Sequence, residues 1–145
     1  MRLAAGLAGL ALAFGASAND VGQVKTSKGT VHLERGGQRL AAAPGTAVRQ
    51  GDAIVTGVDG AAGVTFTDNS LLSVGPNSSL AIDRYAFDST THAGQFDTSL
   101  RKGTLAVVSG KIVKQSPEAM RVRTPASIMG VRGTEFVVRV TPQGE

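Results

Sequence analysis

The apolar–polar alternation of this chain comes in runs of only three to seven residues, each cut off by Gly, Asn, Asp or Pro. Alternation with a period of two buries one face of a strand, and no helical period of 3.6 is sustained anywhere. The runs are Val21–Lys25, Gly29–Arg35, Asp52–Thr56, Ala62–Thr67, Leu71–Val74, Leu80–Ile82, Gln95–Leu100, Leu105–Val108, Met120–Arg123 and Thr134–Val140. So many short strands between turn-formers predict an all-β domain. Within Gly29–Arg35, Val31 and Leu33 share one face, while His32 and Glu34 share the other and are expected near solvent.

Three apolar pairs in the middle of the chain recur every eight residues: Val64 and Phe66, Leu72 and Val74, Leu80 and Ile82. Asp68-Asn69-Ser70 and Gly75-Pro76-Asn77 separate them. Strand and turn at fixed spacing predict either a meander of tight hairpins or the rungs of a short-stranded β-solenoid; a sandwich-like arrangement fits the same strands. Gly36-Gly37 after the run ending at Arg35 is a tight hairpin signal, and Asp59-Gly60 a second turn. The 19 glycines therefore read as corners between apolar strands, not as disorder. Asp88–Gly94 is the expected mobile loop.

Residues 1–18 read as a cleaved signal peptide. Arg2 supplies the positive n-region, Leu3–Phe14 the apolar h-region, and Ala16-Ser17-Ala18 the small-x-small cleavage site. The apolar run falls short of the ~20 residues that span a bilayer. Export places residues 19–145 in the periplasm or outside the cell, and confines membrane contact to the signal peptide before cleavage. The chain has no cysteine, which excludes disulfide stapling, thiol catalysis and thiolate metal sites.

Charge is unevenly distributed. Residues 101–139 hold eight basic side chains against Glu118 and Glu135, whereas residues 19–100 hold six basic and eight acidic ones. A basic segment suits an acidic partner. Phe136 is the lone aromatic in it, so the stacking platforms of a nucleic-acid binder are missing and nucleic acid is not expected. The candidate interaction residues are Arg121, Arg123 and Arg132, with Tyr85, which alternates with Phe87, as a small aromatic platform or a core side chain.

The residues point to no catalytic centre, no metal and no cofactor. His32 and His92 have no ligand spacing between them. Ser70, Ser73 and Ser109 lack a nucleophile-elbow setting. Asp52, Asp68 and Asp83 could be read as paired carboxylates, but each sits where an Asx turn explains it. In the carboxy-terminal segment, Thr124-Pro125 starts a corner, Gly130 and Gly133 frame Val131-Arg132, and Arg132 faces Glu135 as an expected ion pair.

Taken in order, Val21-Gly22-x-Val24, Gly29-Thr30-Val31, Gly51-Asp52-x-Ile54-x-Thr56-Gly57, Phe66-x-Asp68-x-Ser70-x-Leu72, Gly75-Pro76-Asn77-x-x-Leu80-x-Ile82, Lys102-Gly103-x-Leu105, Ser109-Gly110-Lys111, Arg123-Thr124-Pro125 and Gly130-Val131-Arg132-Gly133-Thr134-Glu135-Phe136 resemble the FecR protein domain. The resemblance implies an extracytoplasmic, all-β, solenoid-like module at residues 19–145. In the iron-dicitrate regulators of that family, the module relays occupancy of an outer-membrane transporter to an anti-sigma segment across the inner membrane. This chain shows neither the anti-sigma region nor a spanning helix, so the resemblance does not extend to sigma-factor control. The sequence stops at Glu145, short of the further hairpin common in the family, which fits either a clipped chain or an open edge strand. The expectation is an exported, non-catalytic interaction or sensing module that binds an envelope protein. An envelope carbohydrate- or anionic-surface-binding protein is the alternative.

Overall fold

The computed structural model describes residues 20–131 and 133–141. The expected signal peptide and the expected Arg132–Glu135 pair lie outside or partly outside those residues. The described chain forms twelve strands and one short helix: β1 (Asp20–Lys28), β2 (Val31–Arg35), β3 (Gln38–Ala41), β4 (Ala47–Arg49), β5 (Ala53–Thr56), β6 (Ala61–Phe66), β7 (Leu71–Val74), β8 (Ser79–Phe87), β9 (Gly94–Val108), α1 (Lys111–Gln115), β10 (Met120–Arg123), β11 (Ile128–Gly130) and β12 (Glu135–Val140). The all-β expectation holds, and the strands make one curled, largely antiparallel half-barrel.

The 15-residue β9 is the spine. Its first half lies between β8 and β10, and its second half between β7 and β12. From β8 one arm continues through β5, β2 and β3; from β7 the other runs through β6, β1 and β4. Each arm contributes an inward row set by register. Leu33, Ile54, Leu80 and Leu100 face one another across β2, β5, β8 and β9. Val24, Val64, Leu72 and Val107 do the same across β1, β6, β7 and β9. All eight side chains are buried in one core. Each stabilises the fold by roughly 1.5–3 kcal/mol through removal from water.

The eight-residue repeat does not build a solenoid. All six of its apolar side chains are buried. However, β6 and β7 form an antiparallel hairpin, and β8 crosses to the other arm, beside β5. Solenoid rungs require parallel stacking of successive units. The single parallel pairing among the described strands joins β10 to β9. The hairpin at Gly36-Gly37 joins β2 to β3 as expected.

Two irregularities set side-chain direction. In β8 the register shifts between Ile82 and Arg84 and leaves Asp83 as an extra residue. A bulge of one residue reverses the phase of everything after it, so Leu80 and Ile82 point inward and then Tyr85 does, not Arg84. In β9 the strand bends at Gly103, where φ is +97° and a Cβ would lie 1.9 Å from Ser78 Oγ. Only glycine satisfies both the left-handed backbone and that approach.

Candidate interaction face

Strand β10 carries two of the expected residues. Met120 and Val122 are buried in the core, which turns Arg121 and Arg123 outward to solvent. Register places Arg121 beside Asp97 of β9, and Asp97 in turn beside Arg84 of β8. Two residues along, Arg123 adjoins Ser99 of β9 and Ile128 of β11. The outer face of this arm therefore presents Arg84, Arg121 and Arg123 close together, with Arg101 also exposed on β9.

None of these four arginines is ion-paired among the described residues. The described pairs are Arg35–Asp52, Arg49–Asp20 and His32–Glu34. Asp97 accepts a hydrogen bond from Gln95 Nε2 at 3.1 Å through Oδ2, while its buried Oδ1 has no partner. Asp83 is engaged by the Ser99 hydroxyl. Further across the same face, Glu34, Arg39, Asp83 and Arg101 line an open cleft of ≈ 610 Å³. The face is polar and net cationic, and the small side chains of Ala53, Ala81 and Ser99 form one row across it, Ala53 and Ala81 lining the cleft.

Tyr85 does not join this face. It is 8% exposed and packs against Phe96 edge-on, with ring centroids 4.8 Å apart, and against Phe66 at 5.4 Å. Its hydroxyl accepts the Asp68 N–H at 2.9 Å and shares a hydrogen bond with Thr67 Oγ1 at 2.8 Å. Burial pushes the phenol's pKa well above its ordinary value. Phe87 is half-buried and stacks on His92, so Tyr85 and Phe87 form no surface platform. His32 lies on the Glu34 face and bonds it at 3.3 Å, but only 16% of its side chain is exposed.

The carboxylates serve turns. Buried Asp52 accepts Arg49 N–H at 2.9 Å and both prongs of Arg35, at 2.8 and 2.7 Å. The Asp52 hydrogen bond raises the Arg35 pKa above its ordinary value. Buried Asp68 accepts Ser70 N–H at 3.0 Å, Ser70 Oγ–H at 2.8 Å and Ile112 N–H at 3.2 Å. Its carbonyl accepts Lys111 N–H at 2.8 Å. Asp68 thus caps α1 from 44 residues away, because Gly110 offers no side chain of its own. A Cβ on Gly110 would come within 2.4 Å of the Asp68 carbonyl.

The remaining motif residues converge on the corner where β9 bends. Thr56 Oγ1 donates to Gly75 O at 2.6 Å and accepts Ser78 N–H at 2.9 Å. Ser78 Oγ then accepts Thr104 N–H at 3.0 Å. At the other end of β9, Ser109 Oγ donates to Gly133 O at 2.9 Å, tying the last motif to the Asp68 node.

Residues 52–145 match the family model described as FecR protein. The chain belongs to the FecR family. The FecR match starts at Asp52, yet β1 and β2 pair with β6 and β5 inside it, so residues 20–49 are part of the same folded sheet. No curated protein and no solved structure matches the chain. FecR proteins form a regulatory and sensing family, typically associated with signalling at the cell envelope and acting through other proteins. In this FecR chain the motif residues Thr56, Asp68, Gly75, Gly103 and Gly110 sit at corners and caps of the half-barrel, whereas Arg84, Arg121 and the motif residue Arg123 lie on its open outer face.

Proposed function

We propose that this chain is an exported, non-catalytic FecR-type interaction module that binds an acidic protein of the envelope through the outer face of β8, β9 and β10. The observation that carries the reading is the cluster of Arg84, Arg121 and Arg123: exposed, on three neighbouring strands with Arg84 and Arg121 flanking Asp97, and without ion-pair partners among the described residues. Unpaired arginines on one face steer and orient an anionic partner, with planar donors suited to carboxylates. Arg132 belongs to the same basic segment by sequence. Family membership supports a partner that is a protein. Among the described residues no aromatic ring is exposed, which weighs against the carbohydrate reading. Export rests on residues 1–18, and no helix among the described residues is long and apolar enough to cross a membrane. Asp52 and Asp68 are spent on a turn and on the cap of α1 and lend no support to catalysis.

The test is capture from native envelopes with the exported chain and with Arg121→Glu/Arg123→Glu. These side chains are exposed, so folding is retained. The reading expects a protein captured by the parent, released by raised salt, and lost with the variant. Equal capture by both chains would remove the basic face from the account. Sequencing of the exported protein is expected to start at Asn19.

A further inference from the structure

Among the described residues, four strands pair on one side only: β3, β4, β11 and β12. β4 and β11 have three residues and β3 has four, short edges of the kind that discourage pairing. β12 has six. Among the described residues its far side meets no strand. A groove of ≈ 300 Å³ between Thr124–Ser127 and Arg139–Thr141 separates that corner from the end of β12.

The side chains of β12 are distributed in a telling way. Phe136, Val138 and Val140 turn toward the core, opposite Val107, Leu105 and Gly103. Glu135, Val137 and Arg139 turn outward, and Val137 is 65% exposed. One antiparallel register about a two-fold axis at Val137 makes this face self-complementary. It sets Glu135 of each copy against Arg139 of the other, with the two Val137 side chains meeting on the axis. In an isologous interface residue i meets j and j meets i, and this alternation of acid, apolar and base satisfies that condition. Opposite charges directly across an antiparallel pair stabilise it, and like charges oppose it.

We propose that β12 is a self-association edge, joining two copies of this chain through an antiparallel β12–β12 pair centred on Val137. The pair extends the β7–β9–β12 sheet across the dyad, with main-chain hydrogen bonds supplying affinity and the Glu135–Arg139 contacts fixing register. One strand pair buries less than the ~1,600 Å² of a standard interface, so the association is weak and concentration-dependent. The inference stands apart from the partner-binding reading above, since β12 pairs with the second half of β9 whereas the Arg84–Arg121–Arg123 cluster lies along its first half.

Sedimentation of the exported full chain tests this, with circular dichroism confirming that each variant is folded. The parent is expected to shift from monomer to dimer as concentration rises. Glu135→Arg sets like charges opposite each other at both ends of the pair, as does Arg139→Glu, and each should weaken association about tenfold or more. The two single variants mixed together regain both opposite-charge contacts and should associate as the parent does. The double variant Glu135→Arg/Arg139→Glu regains them by itself and covers the case of a single variant that folds poorly. A parent chain that stays monomeric to ~0.5 mM, where a small interface of this class would populate a dimer, overturns the proposal. So do single variants that associate as strongly as the parent, or a mixture that does not recover.

Discussion

At Asp68 one buried carboxylate gathers donors from Ser70 and from the start of α1, while the same residue's amide is held by Tyr85. Removing the carboxylate strands two buried N–H groups, each worth about 1–3 kcal/mol when left unsatisfied. Asp68→Ala should therefore cost about 3 kcal/mol or more in urea unfolding. Tyr85→Phe, which removes the acceptor for Asp68 N–H and the hydrogen bond with Thr67 Oγ1, should cost about 1–2 kcal/mol. Tyr85 is the sole tyrosine, so its ultraviolet phenolate signal reports one site. Its folded pKa is raised above the ordinary 10.0, chiefly by burial. The stability this contributes is fully present below pH 10 and is lost as pH climbs above it, by about 1.4 kcal/mol per pH unit, because only the unfolded chain ionises there. An alkaline titration should show no phenolate near pH 10, with the signal appearing together with unfolding; Tyr85→Phe should remove this component of the alkaline decline. The Asx role of Asp68 was legible in Asp-x-Ser, but its second role as the cap of α1 was not. Nothing local links it to Ile112. Of the two readings of Tyr85 the core side chain holds, by a route the sequence did not show: simple alternation from Leu80 and Ile82 sends it outward, and the bulge at Asp83 returns it to the core.

Among the elements, β7 and β10 keep the boundaries that their alternation predicts, because each buries one clean face. β8 and β9 run well beyond their apolar cores. They are held by pairing on both sides through stretches such as Asp97–Ser99 that carry polar residues. β3, β4 and β11 are short edges with little buried surface, hence little hydrophobic pattern to read. α1 is a single turn that depends on a distant carboxylate rather than on helical periodicity. The bend in β9 carries its own prediction. Gly103→Ala combines a left-handed backbone with an overlap on Ser78, and should destabilise by about 2–4 kcal/mol. Gly36→Ala has φ +58° but open space around it, and should cost only about 1 kcal/mol. Comparable losses in denaturant midpoint for the two variants would mean that β9 does not turn on that contact.

For the molecule as a whole, alternation and turn chemistry were enough to specify an all-β domain, but not how its strands pair. The repeat Val64/Phe66, Leu72/Val74, Leu80/Ile82 buries all six side chains in either topology, so burial alone cannot choose. The choice falls to the corner built from Thr56, Gly75, Ser78 and Gly103, which sends β8 into the second arm. The same architecture gives residues two kinds of work. Thr56, Asp68, Gly75, Gly103 and Gly110 of the family motifs hold corners and caps, and Arg84 joins Arg121 and Arg123 of the basic segment on the open face. Arg121 and Arg123 were readable as candidates because Met120 and Val122 alternate with them; Arg84 was not, since its outward direction also depends on the Asp83 bulge. The central claim is that this FecR chain works by presenting that face to another protein. A photo-crosslinking side chain placed at Ser99, between Ala81 and Arg123, tests it most directly in intact cells. The account predicts a discrete cross-link to one envelope protein, abolished by Arg121→Glu/Arg123→Glu. Cross-links that persist unchanged in that variant, or that form only from the opposite arm at Ser73, would contradict it.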